Sequence, residues 1–542
     1  MAGIPKSNFY KRVNTQALIE WAILLFLLCG GLYASLKVGI SWDEEAEFKT
    51  YSLNLEVFKG LISGDPTPYQ TLAAYQDRYY GVGFHWLSYG FSNLLSLFNL
   101  QLLEFSELGS RLLWAHLFNY FAFFISGILF RQSLLIITGD KVISSLGMLV
   151  YLLWPYLLGH AMMNVKDIPF TLAWMACTFQ SLRILRPPIR TPTTFQFLIL
   201  GLLTGWLISI RVSGVLIFIQ YVFFASFLIK LVDSEFHLNQ AIKKIAVLGF
   251  TFLASSAIFL YICYPILWYQ PLEILNAIAY MGSHPWMGNT LTAGEFIEPK
   301  TRLINYLILW LAVKLPIVVI LGIFLSPFAW FMSLKSRKLF QSRVMIVTLF
   351  SVLAILCLLI YKRVALYNEL RQVLFIEPLL LLAAIISLYV ISRKFTIVAL
   401  GLTAVLMAFD NLSLFPYQYS YINEIARYSQ IGKKYETDYF GLSVANSARW
   451  LNRSEINGVS QCFYVPSPHL WKFELDPAKF PCMAGYPGDL SLIKDPFLFY
   501  AQLRGNSHFA VPAYCRQIHI ESRGLAFSNA KLNMGALYAC NP

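Results

Sequence analysis

Apolar runs recur along this chain at 16–36, 112–135, 142–162, 168–184, 194–210, 213–231, 245–268, 315–333, 344–361, 372–391 and 395–412. Each approaches the ~17–25 residues that a helix needs to cross a bilayer. A chain with about eleven such segments has few options, because only helices and closed barrels satisfy their backbone groups within lipid. The sequence therefore predicts a mainly α, polytopic membrane protein. Its 57% hydrophobic content and mean hydropathy of +0.57 exclude an ordinary soluble domain. The aromatic share of 16% fits the same class, since Trp and Tyr settle at membrane–water interfaces.

The net charge is +13, but the basic residues are scattered in short groups between the runs. A nucleic-acid protein would gather them on one face, so nucleic acid is not an expected partner. The groups read as topology signals instead. Lys6, Lys11 and Arg12 precede the first run, which is too long for the core of a secretory signal and is read as a retained span. Lys141, then Arg183, Arg186 and Arg190, then Lys243 and Lys244, then Lys335, Arg337, Lys338 and Arg343, then Arg393 and Lys394 fall in alternate connectors. By the positive-inside rule that side, with the N-terminus, is cytoplasmic. The opposite side receives 38–110, 269–314 and everything after about 412. Within it, the short apolar stretch 303–313 reads as a helix lying in the interface, and Pro316 suits the first turn of the span that follows.

Residues 1–412 thus form a transmembrane domain, and 413–542 a small extracytoplasmic α/β domain in which charges and prolines rise. Cys29, Cys177, Cys263 and Cys357 lie in apolar runs and read as small buried hydrophobes. Cys462, Cys482, Cys515 and Cys540 all lie in the tail. Four cysteines facing an oxidising compartment imply two disulfides, for which three pairings are open. The short loops favour Cys462–Cys482 and Cys515–Cys540. Zinc is the rival reading, and the absence of a C-x-x-C pair counts against it.

The chain is only 13% charged, yet Asp43, Glu44, Glu45 and Glu47 crowd together just after the first run. Other polar residues gather at the same depth: Asp167 between two runs, Arg211 at another turn, and Arg111, Lys314 and Arg371 at the openings of spans. Ionisable side chains kept there at a desolvation cost are functional candidates. Each alone has a plainer account, as a snorkelling base or a helix-capping acid, and Glu45 and Glu47 fit a solvated helix face. Asp167 could simply cap its helix. The convergence of acids and bases on one plane is what argues for a site. The mid-spans are almost free of charge, with Glu377 the exception.

The stretches SWDEE (41–45), NVKDIPF (164–170), RVSG (211–214), SHPWMG (283–288), LRQVLFIEP (370–378), PYQYSYINE (416–424) and YETDYFG (435–441) together resemble the GT-C membrane glycosyltransferases. They are most similar to the bacterial branch grouped with protein O-mannosyltransferases and aminoarabinose transferases, the family 39-like enzymes. The motifs run in the expected order from 41 to about 450 and cover most of the chain. Val165, Gln372 and Phe440 depart from the pattern, where relatives often carry Pro, His and Trp.

The resemblance implies a polyprenyl-phosphate-linked sugar as donor and a protein, lipid or polysaccharide hydroxyl as acceptor. The resemblance names no cofactor beyond a divalent metal that some relatives bind, which here would fall to Asp43 and Asp167. The acceptor must lose a proton as it attacks the anomeric carbon, so a carboxylate base is needed. The leaving lipid phosphate needs cations rather than an acid. The resemblance gives the base role to Asp43, with Glu44 beside it and Asp167 orienting the acceptor. It gives the phosphate to Arg371, Lys314, Arg211 and Arg111, and the substrate cavity to Tyr80, His85, His284 and Trp286. The rivals are a transporter or flippase of lipid-linked glycans, which would favour internal repeats and mid-membrane sites, and a non-catalytic relative.

Overall fold

The computed structural model describes residues 15–186, 191–229, 238–283, 288–298, 300–336, 338–428, 434–456, 458, 461–502 and 511–542. Lys6, Lys11, Arg12, Arg190, Arg337, His284 and Trp286 lie outside the described residues. The chain is mainly helical. Helix α1 (Thr15–Ser35) leads into α2 (Glu44–Ser63), α3 (Thr67–Ala74) and α4 (His85–Ser96). The bundle follows with α5 (Glu107–Thr138), α6 (Lys141–Leu153), α7 (Pro155–Met163), α8 (Asp167–Leu185), α9 (Thr194–Ile210), α10 (Ile217–Ile229) and α11 (Leu238–Cys263). After α12 (Glu273–Gly282) and a hairpin of β1 (Thr290–Thr292) and β2 (Glu295–Ile297) come α13 (Leu303–Lys314), α14 (Ile317–Phe324), α15 (Ser326–Leu334), α16 (Leu339–Tyr361), α17 (Ile376–Ile391) and α18 (Arg393–Leu414).

Among the described residues, four helices are long and apolar enough to cross a membrane, or up to six if each of two bent pairs is one span. Four further apolar helices among the described residues are shorter than that length. Several apolar runs form helices of 10–17 residues, such as Thr194–Ile210 and Ile376–Ile391. The breaks have local causes. Run 142–162 bends by 58° between α6 and α7, where Pro155 lacks the N–H that would continue the ladder. The pair α13 and α14 turns through 116°, again at a proline, Pro316. Run 315–333 is likewise split, with Pro327 in the first turn of α15. Cys177 is buried as expected, but Cys29 and Cys357 lie on exposed helix faces, which in a bilayer face lipid.

After α18 the chain forms α19 (Ser443–Arg453), α20 (Pro468–Trp471) and a five-stranded sheet. Its strands are β3 (Cys462–Val465), β4 (Met483–Gly485), β5 (Phe497–Gln502), β6 (Cys515–Gly524) and β7 (Lys531–Cys540), in the order β4-β3-β5-β7-β6. Strand β3 runs parallel to β4 and β5, and β7 runs antiparallel to β5 and β6. The four tail cysteines join as Cys462–Cys482 and Cys515–Cys540, the latter directly opposite each other across β6 and β7. Mass spectrometry of non-reduced tryptic peptides, alkylated at lysis, should return these two linked pairs. Four free thiols would refute both.

The tail does not stand apart. Its Phe463, Trp471 and Leu498 share one apolar cluster with Ile40, Tyr51, Tyr89, Leu112 and Leu113. Three polar ties reinforce the contact: Trp42 N–H donates to Phe440 O at 3.0 Å, Arg449 to Lys37 O at 3.1 Å, and Lys472 pairs with Glu45 at 2.7 Å. The segment after the first helix is thereby pressed between bundle and tail, and that is where the acid cluster sits.

Candidate functional site

Helix α2 begins at the acid cluster, and helical periodicity sorts its carboxylates. Glu44 is buried, with Thr50, Tyr51, Asn54 and Val57 on the same helix, while Glu45 turns outward to Lys472. Asp43 holds the N-cap position but makes no capping bond with its side chain, so its carboxylate is free for other partners. It pairs with Arg371, and the Asp43 side chain stays 43% exposed against 9% for Arg371.

These residues line a cavity of about 190 Å³ with Ser41, Asp77, Tyr80, Asn164, Lys166, Asp167, Arg211, Tyr367 and Phe440 among the walls. Six of the site residues expected from sequence meet here: Asp43, Glu44, Asp167, Arg211, Arg371 and Tyr80. Their chain positions run from 43 to 371, so the cavity is built by tertiary packing. Two glycines make the approach feasible. A Cβ on Gly81 would lie 2.2 Å from Ser209 O, and one on Gly83 would lie 2.0 Å from Ser209 Oγ. Only bare backbone lets the Tyr80 loop sit against the end of α9, from which Arg211 projects.

Asp167 is the first residue of α8 rather than its cap. Its carboxylate pairs with Arg211 at 2.8 Å and accepts from Asn164 Nδ2 at 2.8 Å. Asn164 Oδ1 also takes the Asp167 N–H at 2.9 Å, which fixes the turn between α7 and α8. Lys166, in the same turn, reaches Glu47 at 2.5 Å and lies 3.4 Å from the centre of the Tyr80 ring. Glu47 also meets His85 Nε2 at 3.0 Å. Burial resists the Glu47 charge, but Lys166 and His85 outweigh it and hold the carboxyl well below the ordinary range. Glu47 is thus an anchored carboxylate, not the solvated one expected from sequence.

Other expected residues are placed differently. Glu44 touches the cavity wall, but one oxygen accepts from Ser41 N at 2.6 Å and the other meets His116 Nε2 at 2.7 Å. His116 Nδ1 faces Ser35 O at 3.0 Å, so Glu44 ties the start of α2 to α5. Arg111 is outside the cavity lining and pairs with Glu107 one turn away at 2.5 Å. Lys314 is fully buried against Glu369 at 2.9 Å and donates to Tyr419 O at 3.0 Å. It does not reach the cavity. His85 stands behind Glu47 rather than in the lining. Sequence reasoning missed Lys166, Glu47 and Asn164, although Lys166 and Asn164 lie inside the NVKDIPF motif and Glu47 is one helical turn from Asp43.

Asp43 and Asp167, the pair that would hold a divalent metal, each face a guanidinium, and among the described residues no group of three or more His, Cys, Asp or Glu gathers.

No family model matches the chain, and no curated protein matches it. Solved structures similar to it include ArnT from Cupriavidus metallidurans bound to undecaprenyl phosphate and ArnT from the same organism in the apo state. Each comparison covers 97% of this chain and 98% of the other, at 12% identity and a TM-score of 0.44.

Proposed function

We propose that this protein is a membrane glycosyltransferase that moves a sugar from a polyprenyl-phosphate donor to an acceptor hydroxyl. The observation that carries the reading is the cavity itself, where an accessible carboxylate, Asp43, stands against Arg371, with Lys166, Arg211 and Asp167 on the same walls. The ordered motifs support the same class. By the positive-inside rule, the basic connectors favour an outer-face position for this end of the bundle, with the N-terminus in the cytoplasm and the tail outside. A lipid-anchored phosphate brings the reactive carbon to that height, which explains why acids sit against a membrane.

The chemistry needs no cofactor. Asp43 accepts the proton of the acceptor O–H as the oxygen bonds to the anomeric carbon. The bond from that carbon to the phosphate oxygen breaks, and its electron pair leaves with the lipid phosphate. Direct displacement inverts the anomeric centre. Arg371 links the two halves of the reaction. In the resting chain it neutralises Asp43, and an arriving donor phosphate competes for the same guanidinium. Once the phosphate takes it, Asp43 is released to act as base. Arg211 and Lys166 supply further positive charge at the headgroup, and Asp167 with Asn164 orients the acceptor.

Membranes carrying the protein, given a panel of labelled polyprenyl-phosphate sugars, should transfer label to an acceptor fraction from at least one donor. Retention of every label on its lipid would overturn the reading. Arg371→Lys should weaken donor binding about tenfold, since a lysine cannot hold phosphate in a bidentate way. Titration of purified protein with the active donor measures this, and equal affinities would leave Arg371 no part in phosphate binding.

A further inference from the structure

Arg371 emerges from a connector with an unusual backbone. Asn368 and Glu369 are consecutive non-glycine residues with φ of 53° and 65°, in the left-handed region where a Cβ is crowded. Such geometry persists where the surroundings over-determine it, and three contacts from two helices do so here. The Glu369 side chain is fully buried and pairs with Lys314, at the end of α13, at 2.9 Å. Tyr306, also on α13, donates its hydroxyl to Glu369 O at 2.9 Å. Leu370 N–H donates to the hydroxyl of Tyr156, on α7, at 3.1 Å. Lys314 is itself fixed by Tyr419 O at 3.0 Å and lies 4.7 Å from the Tyr156 ring centre.

A fully buried ion pair is weak evidence for stability, because apolar residues of like volume often serve as well or better. Its place in the chain is more informative. Glu369 is two residues from the cavity arginine, and between them the backbone is pinned at successive positions. Arg371 then passes 5.0 Å from the Tyr367 ring centre and 5.6 Å from that of Phe440 to reach Asp43. We propose that the buried Lys314–Glu369 pair is a positioning device: it locks the left-handed turn at 368–369 so that Arg371 is delivered to the cavity. Lys314 thus acts on the site through Arg371 without touching substrate. The step from Arg371 to a donor phosphate rests on the glycosyltransferase reading; the locking of the turn does not.

The test uses the full chain in detergent, with Glu369→Gln, and with Glu369→Gln/Lys314→Met as a second variant that leaves no unpaired buried ammonium. Hydrogen exchange of the 367–374 amides should accelerate about tenfold or more in both, while the rest of the bundle exchanges as in the parent. Farnesyl phosphate, used as a soluble probe, should bind Glu369→Gln about tenfold more weakly, and adding Arg371→Lys should cause little further loss because both act through one guanidinium. Unchanged exchange at 367–374 would overturn the positioning role, as would losses that simply add. If the parent chain does not bind farnesyl phosphate, the donor-phosphate reading fails, and the exchange measurement alone decides whether the pair locks the turn.

Discussion

Asp43→Asn is expected to remove sugar transfer almost wholly, by ~10²–10⁴-fold as is typical for loss of a general base, while the chain folds and binds donor as before. The substitution keeps the shape of the side chain and takes away its proton-accepting charge. Folding should tolerate it because the Asp43 side chain is 43% exposed and caps nothing. Donor affinity should hold or rise, since Arg371 no longer has a carboxylate competing with phosphate. Glu45→Gln is the matching control: its partner Lys472 is on the surface, where an ion pair contributes little, so turnover should be unchanged. Turnover and donor binding of the purified proteins separate the outcomes. Wild-type turnover in Asp43→Asn would exclude Asp43 as base.

How much of this was legible in the sequence depended on whether the signal was local. Run length and composition are local, and they gave the mainly helical membrane class and the change of character after about 412. Span number was less legible, because Pro155 and Pro316 bend apolar runs that read as continuous or as separate helices. The cavity acids stood out because charge is rare in such a chain, and Asp43, Asp167, Arg211 and Arg371 do converge. Lys314 and Arg111 carried the same signal and lie elsewhere. A lysine at a helix end looks alike whether it faces a headgroup or a buried glutamate, and only the fold brings Glu369 to it. Glu47 failed in the opposite sense. An acid on a helix reads as solvated until Lys166, 119 residues away in sequence, is packed onto it.

The same blindness to distant partners hid Asp410, and its removal should have the largest effect on stability. Asp410 lies near the end of α18, a membrane-length helix, and is fully buried. Its two oxygens accept from the two terminal nitrogens of Arg427 at 2.9 and 2.8 Å, the fork geometry in which Arg–carboxylate pairs are strongest. Arg427 also donates to Ala526 O at 2.6 Å and to Ile422 O at 3.1 Å. One guanidinium therefore joins α18, the 422–427 segment and the turn between β6 and β7. Asp410→Ala would leave that guanidinium buried without its counter-charge, a loss expected to cost ~3–5 kcal/mol. In a chain of this size unfolding need not be two-state, so the sharper readout is local. Protease should cut within 415–542 far faster in Asp410→Ala than in the parent, the opened fraction rising on the order of a hundredfold or more. Asp410→Leu/Arg427→Met should recover most of the resistance, because removing both partners leaves no buried charge unpaired. Equal cleavage of parent and Asp410→Ala would mean that the apolar contact of tail and bundle holds the tail without this clamp. A double variant as labile as the single one would mean that the bonds to Ala526 and Ile422, rather than the charge pair, carry the attachment.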